Sequence, residues 1–231
     1  MKKSKLILVR HGESVYNLQN RFTGWTDVDL SDRGIHEAKD VGKILNKHHI
    51  YPDICHTSWL KRAIHTAQIA LKELAWEHID VKRSYKLNER HYGAWQGRDK
   101  DEVKEQEGES IFLAVRRGYE TPPPSLPEDD PRVPKKEKKY LFVPQEELPL
   151  SESLADTKRR VVSYYKEVLI EELQKGNNIL VSAHGNSLRA LVMHLEKISK
   201  EELVKLEIPT GEILVYTFDE AIQIIKKEVL L

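Results

Sequence analysis

Two short apolar runs stand out in a polar chain, Leu6-Ile7-Leu8-Val9 near the start and Ile179-Leu180-Val181 far downstream. Each is too short for a helix and rich in β-favouring residues, which predicts a buried strand. Other apolar positions recur at helical spacing. Ser31 is a predicted N-cap for a helix with the stripe Ala38, Val41, Ile44 and Leu45. Pro52 ends that region, a short strand follows around Ile54, and a helix begins near Lys61-Arg62. Val81 marks a weaker strand, and Leu87 to Gly97 reads as a polar and aromatic loop. A helix ends at Arg116-Arg117 beside Gly118. Ser153 caps a long helix through Val162, Tyr165, Leu169 and Leu173, which Gly176-Asn177 breaks. After the second run, Leu188, Leu191, Val192 and Leu195 share a helix face, and Ile213–Phe218 with Ile222–Val229 suits a closing hairpin. Strands alternating with helices predict an α/β fold with a mostly parallel central sheet and helical crossovers.

One stretch departs from this alternation. Thr121 to Pro149 opens on Pro122-Pro123-Pro124 and carries a charged segment from Lys135 to Lys139. It is expected to be a long inserted loop at about residues 121–150, short of apolar residues for a core, within a single domain over 1–231. Hydrophobic residues at 39% suffice for a buried core, and no stretch is long enough to span a bilayer. Lys+Arg and Asp+Glu are equal at 37 each, which argues against a dedicated nucleic-acid surface. The single Cys55 cannot form an internal disulfide, so a cytoplasmic setting is expected. The basic start at Met1-Lys2-Lys3 is a poor signal peptide, because Arg10 and His11 interrupt the apolar run.

Chemistry concentrates where both apolar runs stop. The first ends in Arg10-His11-Gly12-Glu13, the second in His184-Gly185-Asn186. Ligand sites of open α/β sheets gather at carboxyl ends of strands. Arginine offers a fixed fork for phosphate, and glycine admits close backbone approach. His11 is therefore a candidate phosphoryl acceptor, neutral at the attacking nitrogen, with its other nitrogen bonded to a backbone carbonyl. His184 precedes a helix N-terminus, whose free N–H groups suit an anion. If both serve one site, their strands are neighbours. Glu89 is a candidate proton carrier for a substrate hydroxyl; the plainer alternative is a surface glutamate paired with Arg90. Most arginines are expected to be solvated surface. Metal and nucleotide sites fit poorly, since there is no HExxH, no paired Cys and no GxxxxGK[ST].

Leu8-Val9-Arg10-His11-Gly12-Glu13-Ser14 with Asn17 resembles the signature of the histidine phosphatase superfamily. Asn20-Arg21-Phe22-Thr23-Gly24-Trp25, Leu60-Lys61-Arg62-Ala63, Leu87-Asn88-Glu89-Arg90-His91-Tyr92-Gly93 and Ala183-His184-Gly185-Asn186-Ser187-Leu188-Arg189-Ala190 resemble the cofactor-dependent phosphoglycerate mutases. The resemblance runs from about Leu6 to Phe218 and implies a three-layer sandwich with helices on both faces of the sheet. It implies that His11 is the phosphorylated nucleophile and Glu89 the proton donor and acceptor. His184, Arg10 and Arg62 would grip the transferring group, helped by Asn17. Ser14, Thr23, Gly24, Arg90, His91, Tyr92, Lys100, Arg116, Arg117, Gly185 and Asn186 would bind the rest of the substrate. The implied reaction interconverts 2- and 3-phosphoglycerate in glycolysis and gluconeogenesis, primed by 2,3-bisphosphoglycerate without metal. A bisphosphoglycerate synthase or phosphatase using the same His11 is the alternative enzyme, and a noncatalytic phospholigand-binding module the alternative of another class. The expected partner is a small phosphorylated substrate, with no nucleic acid and no membrane; a homodimer is one option for assembly. Longer family members carry a tail over the site, whereas this sequence stops at Leu231, which implies easier entry of water.

Overall fold

A computed structural model describes residues 3–230; the readings attached to Met1, Lys2 and Leu231 lie outside them. The first apolar run is strand β1 (Ser4–Arg10), followed by a single helical turn α1 (Val15–Leu18) capped by Ser14. Helix α2 (Asp32–Lys47) starts at Ser31, whose hydroxyl accepts the Gly34 N–H as expected of an N-cap. Strand β2 (Ile54–Thr57), helix α3 (Lys61–Glu73) and the three-residue β3 (Val81–Arg83) follow. Helices α4 (Lys100–Glu107) and α5 (Glu109–Arg117) meet at Gly108. The long helix after Ser153 comprises α6 (Leu154–Tyr164), a π turn over Tyr165–Leu169, and α7 (Ile170–Gln174). Strand β4 (Ile179–Ala183) leads into α8 (Gly185–Leu195), then a short α9 (Lys200–Leu203) and the hairpin β5 (Ile213–Phe218) and β6 (Ile224–Leu230).

The six strands order as β3-β2-β4-β1-β5-β6. β3, β2, β4 and β1 run parallel, while β5 and β6 are antiparallel to their neighbours. β1 and β4 are thus adjacent, with Arg10 opposite Ala183. Side chains of a strand alternate between faces, and β1 shows it. Leu6 and Leu8 pack with Val161, Leu169 and Leu188 on one side; Ile7 and Val9 pack with Val41, Leu45, Ala67 and Leu71 on the other. Helices therefore cover both faces, giving the three-layer α/β sandwich.

The inserted segment corrects one expectation. It is built of short 3-10 turns at Pro134–Lys136, Lys138–Tyr140 and Gln145–Glu147, and it does bury apolar residues. Tyr140 and Val143 form a cluster with Trp25. The Tyr140 ring stacks on Trp25 at 5.1 Å and lies 5.4 Å from Trp59. Its hydroxyl accepts a 2.9 Å hydrogen bond from Asn88. Arg132 donates to the Gln96 carbonyl at 2.8 Å. The segment is docked against the loops that lead into the site.

Candidate active site

His11 and His184 leave the sheet at the ends of adjacent strands, and their rings meet at 4.9 Å between centroids, inclined by 62°. Strand pairing sets this distance, since the His11 N–H extends the ladder to the Ala183 carbonyl at 2.9 Å. The partners of His11 define its tautomer. Nδ1 lies 2.6 Å from the Gly12 carbonyl, which can only accept, so Nδ1 carries the proton. Arg62 Nε donates to Nε2 at 3.3 Å, so Nε2 bears the lone pair. Burial holds the His11 pKa well below its ordinary value, and Arg62 and Arg10 push it the same way against the opposing Gly12 carbonyl. His184 is likewise held low by burial, then by Arg62 and His11. Its Nε2 pairs with the Ser58 hydroxyl at 2.8 Å, and its buried Nδ1 has no hydrogen-bond partner among the described residues. Both imidazoles are neutral near pH 7.

Arg62 and Arg10 are anchored rather than solvated. Arg62 is fully buried and donates to the carbonyls of Thr26 at 3.0 Å and Gly24 at 2.7 Å. Burial lowers its pKa to about 10, which leaves it charged. Arg10 Nη1 donates to the Ile208 carbonyl at 2.6 Å, while its buried Nε has no hydrogen-bond partner among the described residues. Thr66 accepts the Gly12 N–H at 3.1 Å and donates to the Arg62 carbonyl at 2.7 Å, so one hydroxyl ties the His11 loop to α3. Gly185 opens α8 close against Arg10; a Cβ there would meet Arg10 Cζ at 3.4 Å.

Glu89 is 8% exposed and does not pair with the Arg90 guanidinium. Its carboxylate accepts the backbone N–H groups of Arg90 at 2.8 Å and Asn186 at 3.1 Å, occupying the start of α8. Arg90 instead donates to the Val115 carbonyl and to the Tyr92 hydroxyl, both at 2.7 Å.

A cleft of about 300 Å³ opens beside these groups; the buried His11, Arg62 and His184 are not in its wall. Of the residues expected there, Arg10, Asn17, Thr23, Gly24, Glu89, Tyr92, Lys100, Arg116, Arg117, Gly185 and Asn186 line it. Burial, then Arg116 and Arg10, lowers the Lys100 pKa to about 8. Ser14, Arg90 and His91 are brought nearby but not into the wall. Ser14 is fully buried as the cap of α1, with its hydroxyl held by Asn17 at 2.9 Å. Arg90 is fully buried beneath Tyr92. His91 turns inward, its Nδ1 accepting the Gly93 N–H at 3.1 Å and its ring against Trp25 at 5.6 Å. Sequence reasoning did not single out Ser58, Thr66, Arg189, Glu207 or Ile208. Arg189 sits within an apolar helical run yet lines the cleft and bonds Asn186 at 3.0 Å. The local cues for Ser58 and Thr66 were only their places just after β2 and one turn beyond Arg62. Among the described residues, no group of three His, Cys, Asp or Glu is placed to hold a metal ion, and no helix is long and apolar enough to cross a membrane.

Fold and site together define an enzyme of the phosphatase and phosphotransferase class, with strand-end imidazoles set among guanidinium groups. The family model described as histidine phosphatase superfamily (branch 1) matches residues 6–136 and 125–228. The chain belongs to that superfamily. Similar solved structures include a mycobacterial glucosyl-3-phosphoglycerate phosphatase complexed with VO3, at 21% identity and TM-score 0.73 over 98% of this chain and 97% of that one. A putative α-ribazole-5'-P phosphatase from Escherichia coli matches at 22% identity and TM-score 0.70, over 98% of this chain and 95% of that one. Bacillus stearothermophilus YhfR matches at 22% identity and TM-score 0.71, over 96% and 94%. At these identities the likeness concerns the fold.

Proposed function

We propose that this chain is a 2,3-bisphosphoglycerate-dependent phosphoglycerate mutase, interconverting 2- and 3-phosphoglycerate through a phosphohistidine at His11. The observation that carries this reading is one cleft whose wall brings Arg10, Lys100, Arg116 and Arg117 together with Glu89. A simple phosphatase needs to hold one phosphoryl group and admit water. A mutase must also hold a bisphosphate in two orientations, and a wall with this many cations suits that need. The unpartnered Arg10 Nε and His184 Nδ1 fit an anionic ligand.

In this mechanism Nε2 of His11 attacks phosphorus and the bond to the leaving oxygen breaks. Glu89 gives a proton to that oxygen and takes one back when the other hydroxyl attacks the phosphohistidine. Arg10, Arg62 and His184 hold the equatorial oxygens, where charge is spread in a loose transition state. The bisphosphate primer, when bound, supplies the phosphoryl group that charges His11. No metal enters these steps. A phosphatase or synthase acting on the same class of esters through His11 is the second reading, favoured by the likeness to solved structures of phosphatases.

The deciding assay is 3-phosphoglycerate turnover with and without the primer, following 2-phosphoglycerate and free phosphate. Primer-dependent 2-phosphoglycerate, insensitive to EDTA, is the expected result; free phosphate as the main product would favour the phosphatase, and no turnover a binding module. The primer should leave an acid-labile phosphate on His11. A His11→Ala variant labelled to the normal level would remove the nucleophile from the scheme.

A further inference from the structure

We propose that Arg160 and Glu152 are the positioning pair for Glu89, an inference that rests on Glu89 being the proton carrier. Arg160 projects from α6, and Glu152 lies just before that helix; their side chains are 11% and 5% exposed. A guanidinium has five N–H donors in a fixed plane. Here all five are used. Nε and one Nη2 hydrogen grip the two Glu152 oxygens at 2.7 and 2.8 Å. The remaining three bind backbone carbonyls of Lys86 at 2.9 Å, Asn88 at 2.7 Å and Glu89 at 2.8 Å.

Glu152 closes the other side of the same segment. Its Oε2 accepts the His91 N–H at 2.8 Å, and its own N–H donates to the His91 carbonyl at 2.9 Å. Trp25 Nε1 also donates to the Glu89 carbonyl at 2.5 Å, and the Arg160 guanidinium lies 5.6 Å from the Trp25 ring. The backbone is thus fixed at Asn88, Glu89 and His91. The Glu89 carboxylate is left to reach the start of α8 by side-chain torsions alone. Neither Arg160 nor Glu152 lines the cleft; both hold the segment that carries Glu89. A lysine at 160 keeps the charge but offers three donors from a point, and cannot serve five coplanar acceptors.

Proton carriage gives the test a readout that a general loss of fold does not move. An alkyl phosphate leaves as an alkoxide and needs a proton; p-nitrophenyl phosphate leaves as a stable phenolate and does not. Single-turnover phosphorylation of His11 is measured with 2,3-bisphosphoglycerate and with p-nitrophenyl phosphate for wild type, Arg160→Lys, Glu152→Gln and Glu89→Gln. The exposed Arg159→Gln serves as control. Displacing a catalytic group by about 1 Å costs on the order of 100-fold. Arg160→Lys and Glu152→Gln should each slow the bisphosphate reaction by about tenfold or more, with the aryl phosphate rate within about threefold of wild type. Glu89→Gln should show the same selective loss, and Arg159→Gln none. If Arg160→Lys does not fold, Glu152→Gln carries the comparison alone. Equal losses on both donors, or no loss, would overturn the positioning role. A selective loss absent in Glu89→Gln itself would instead overturn the reading of Glu89, and this inference with it.

Discussion

Replacing Gly34 by alanine tests how firmly the His11 loop is held. Gly34 lies in the first turn of α2, where alanine for glycine ordinarily stabilises a helix by about 0.5–1 kcal/mol. Here a Cβ would lie 2.0 Å from the Glu13 carbonyl oxygen and 2.9 Å from the Glu13 nitrogen. Real Cβ contacts stay beyond 3.0 Å, so helix and loop must part by about 1 Å. Both groups are backbone, and the Glu13 carbonyl is already committed to the Ser31 N–H at 2.8 Å. Overpacking of this kind costs about 1–3 kcal/mol, which exceeds the helix gain. The net effect is a loss of about 1–2 kcal/mol, or a Tm lower by roughly 2–8 °C for a chain of this size. The catalytic cost is larger. Glu13 is two residues from His11, and a displacement of about 1 Å in that loop should slow phosphoryl transfer by roughly 100-fold. Calorimetry gives the first quantity and rapid-quench labelling of His11 the second. A variant with unchanged or raised Tm and a normal labelling rate would refute the claim that this contact sets the loop.

Three further outcomes are expected. Lys100 titrates at about 8, so kcat/KM for phosphoglycerate should fall as pH rises through that value. Lys100→Arg should move the limb upward, because a guanidinium stays charged; a wild-type profile flat from pH 7 to 9 would contradict it. Burial, then Lys82, lowers His56 to about 4, and burial, then Arg160, lowers His91 to about 3. The unfolded chain takes up these protons near pH 6.5 and the fold does not, so stability is complete above that pH and declines as pH falls toward 4. Urea melts at pH 7 and 5 read the difference. Tyr140→Ala should cost about 3–5 kcal/mol by emptying the space between Trp25 and Trp59, while Tyr140→Phe should cost about 1 kcal/mol for the lost Asn88 partner. Equal melts for the two variants would deny the packing role.

Much of this arrangement was legible in the sequence. Uninterrupted apolar runs mark strands buried on both faces, so β1 and β4 were visible, and with them the histidines at their ends. Ser31 and Ser153 marked helix starts because their hydroxyls cap free N–H groups. The adjacency of His11 and His184 followed from chemistry and not from any periodicity. What escaped was of two kinds. Arg160 and Arg189 look like ordinary cations in a charged chain, and only tertiary contact reveals that their partners are backbone carbonyls. The apolar residues of the insert, Leu126, Val133, Tyr140 and Val143, follow neither a helical nor a strand period. Tyr140 and Val143 pack with Trp25 and Trp59, partners that are remote in sequence. Ser14, Arg90 and His91 lie beside lining residues, and spacing alone did not separate inward from outward side chains.

The strand order also bears on how the molecule is made. β1 ends at Arg10, yet both of its neighbours, β4 and β5, begin far downstream at Ile179 and Ile213. Pairings so distant in sequence are slow to form. An emerging polypeptide therefore carries Leu6 to Val9 with neither edge satisfied until those strands have left the ribosome. During that interval the segment most intimately tied to His11 is also the one most exposed to wrong partners.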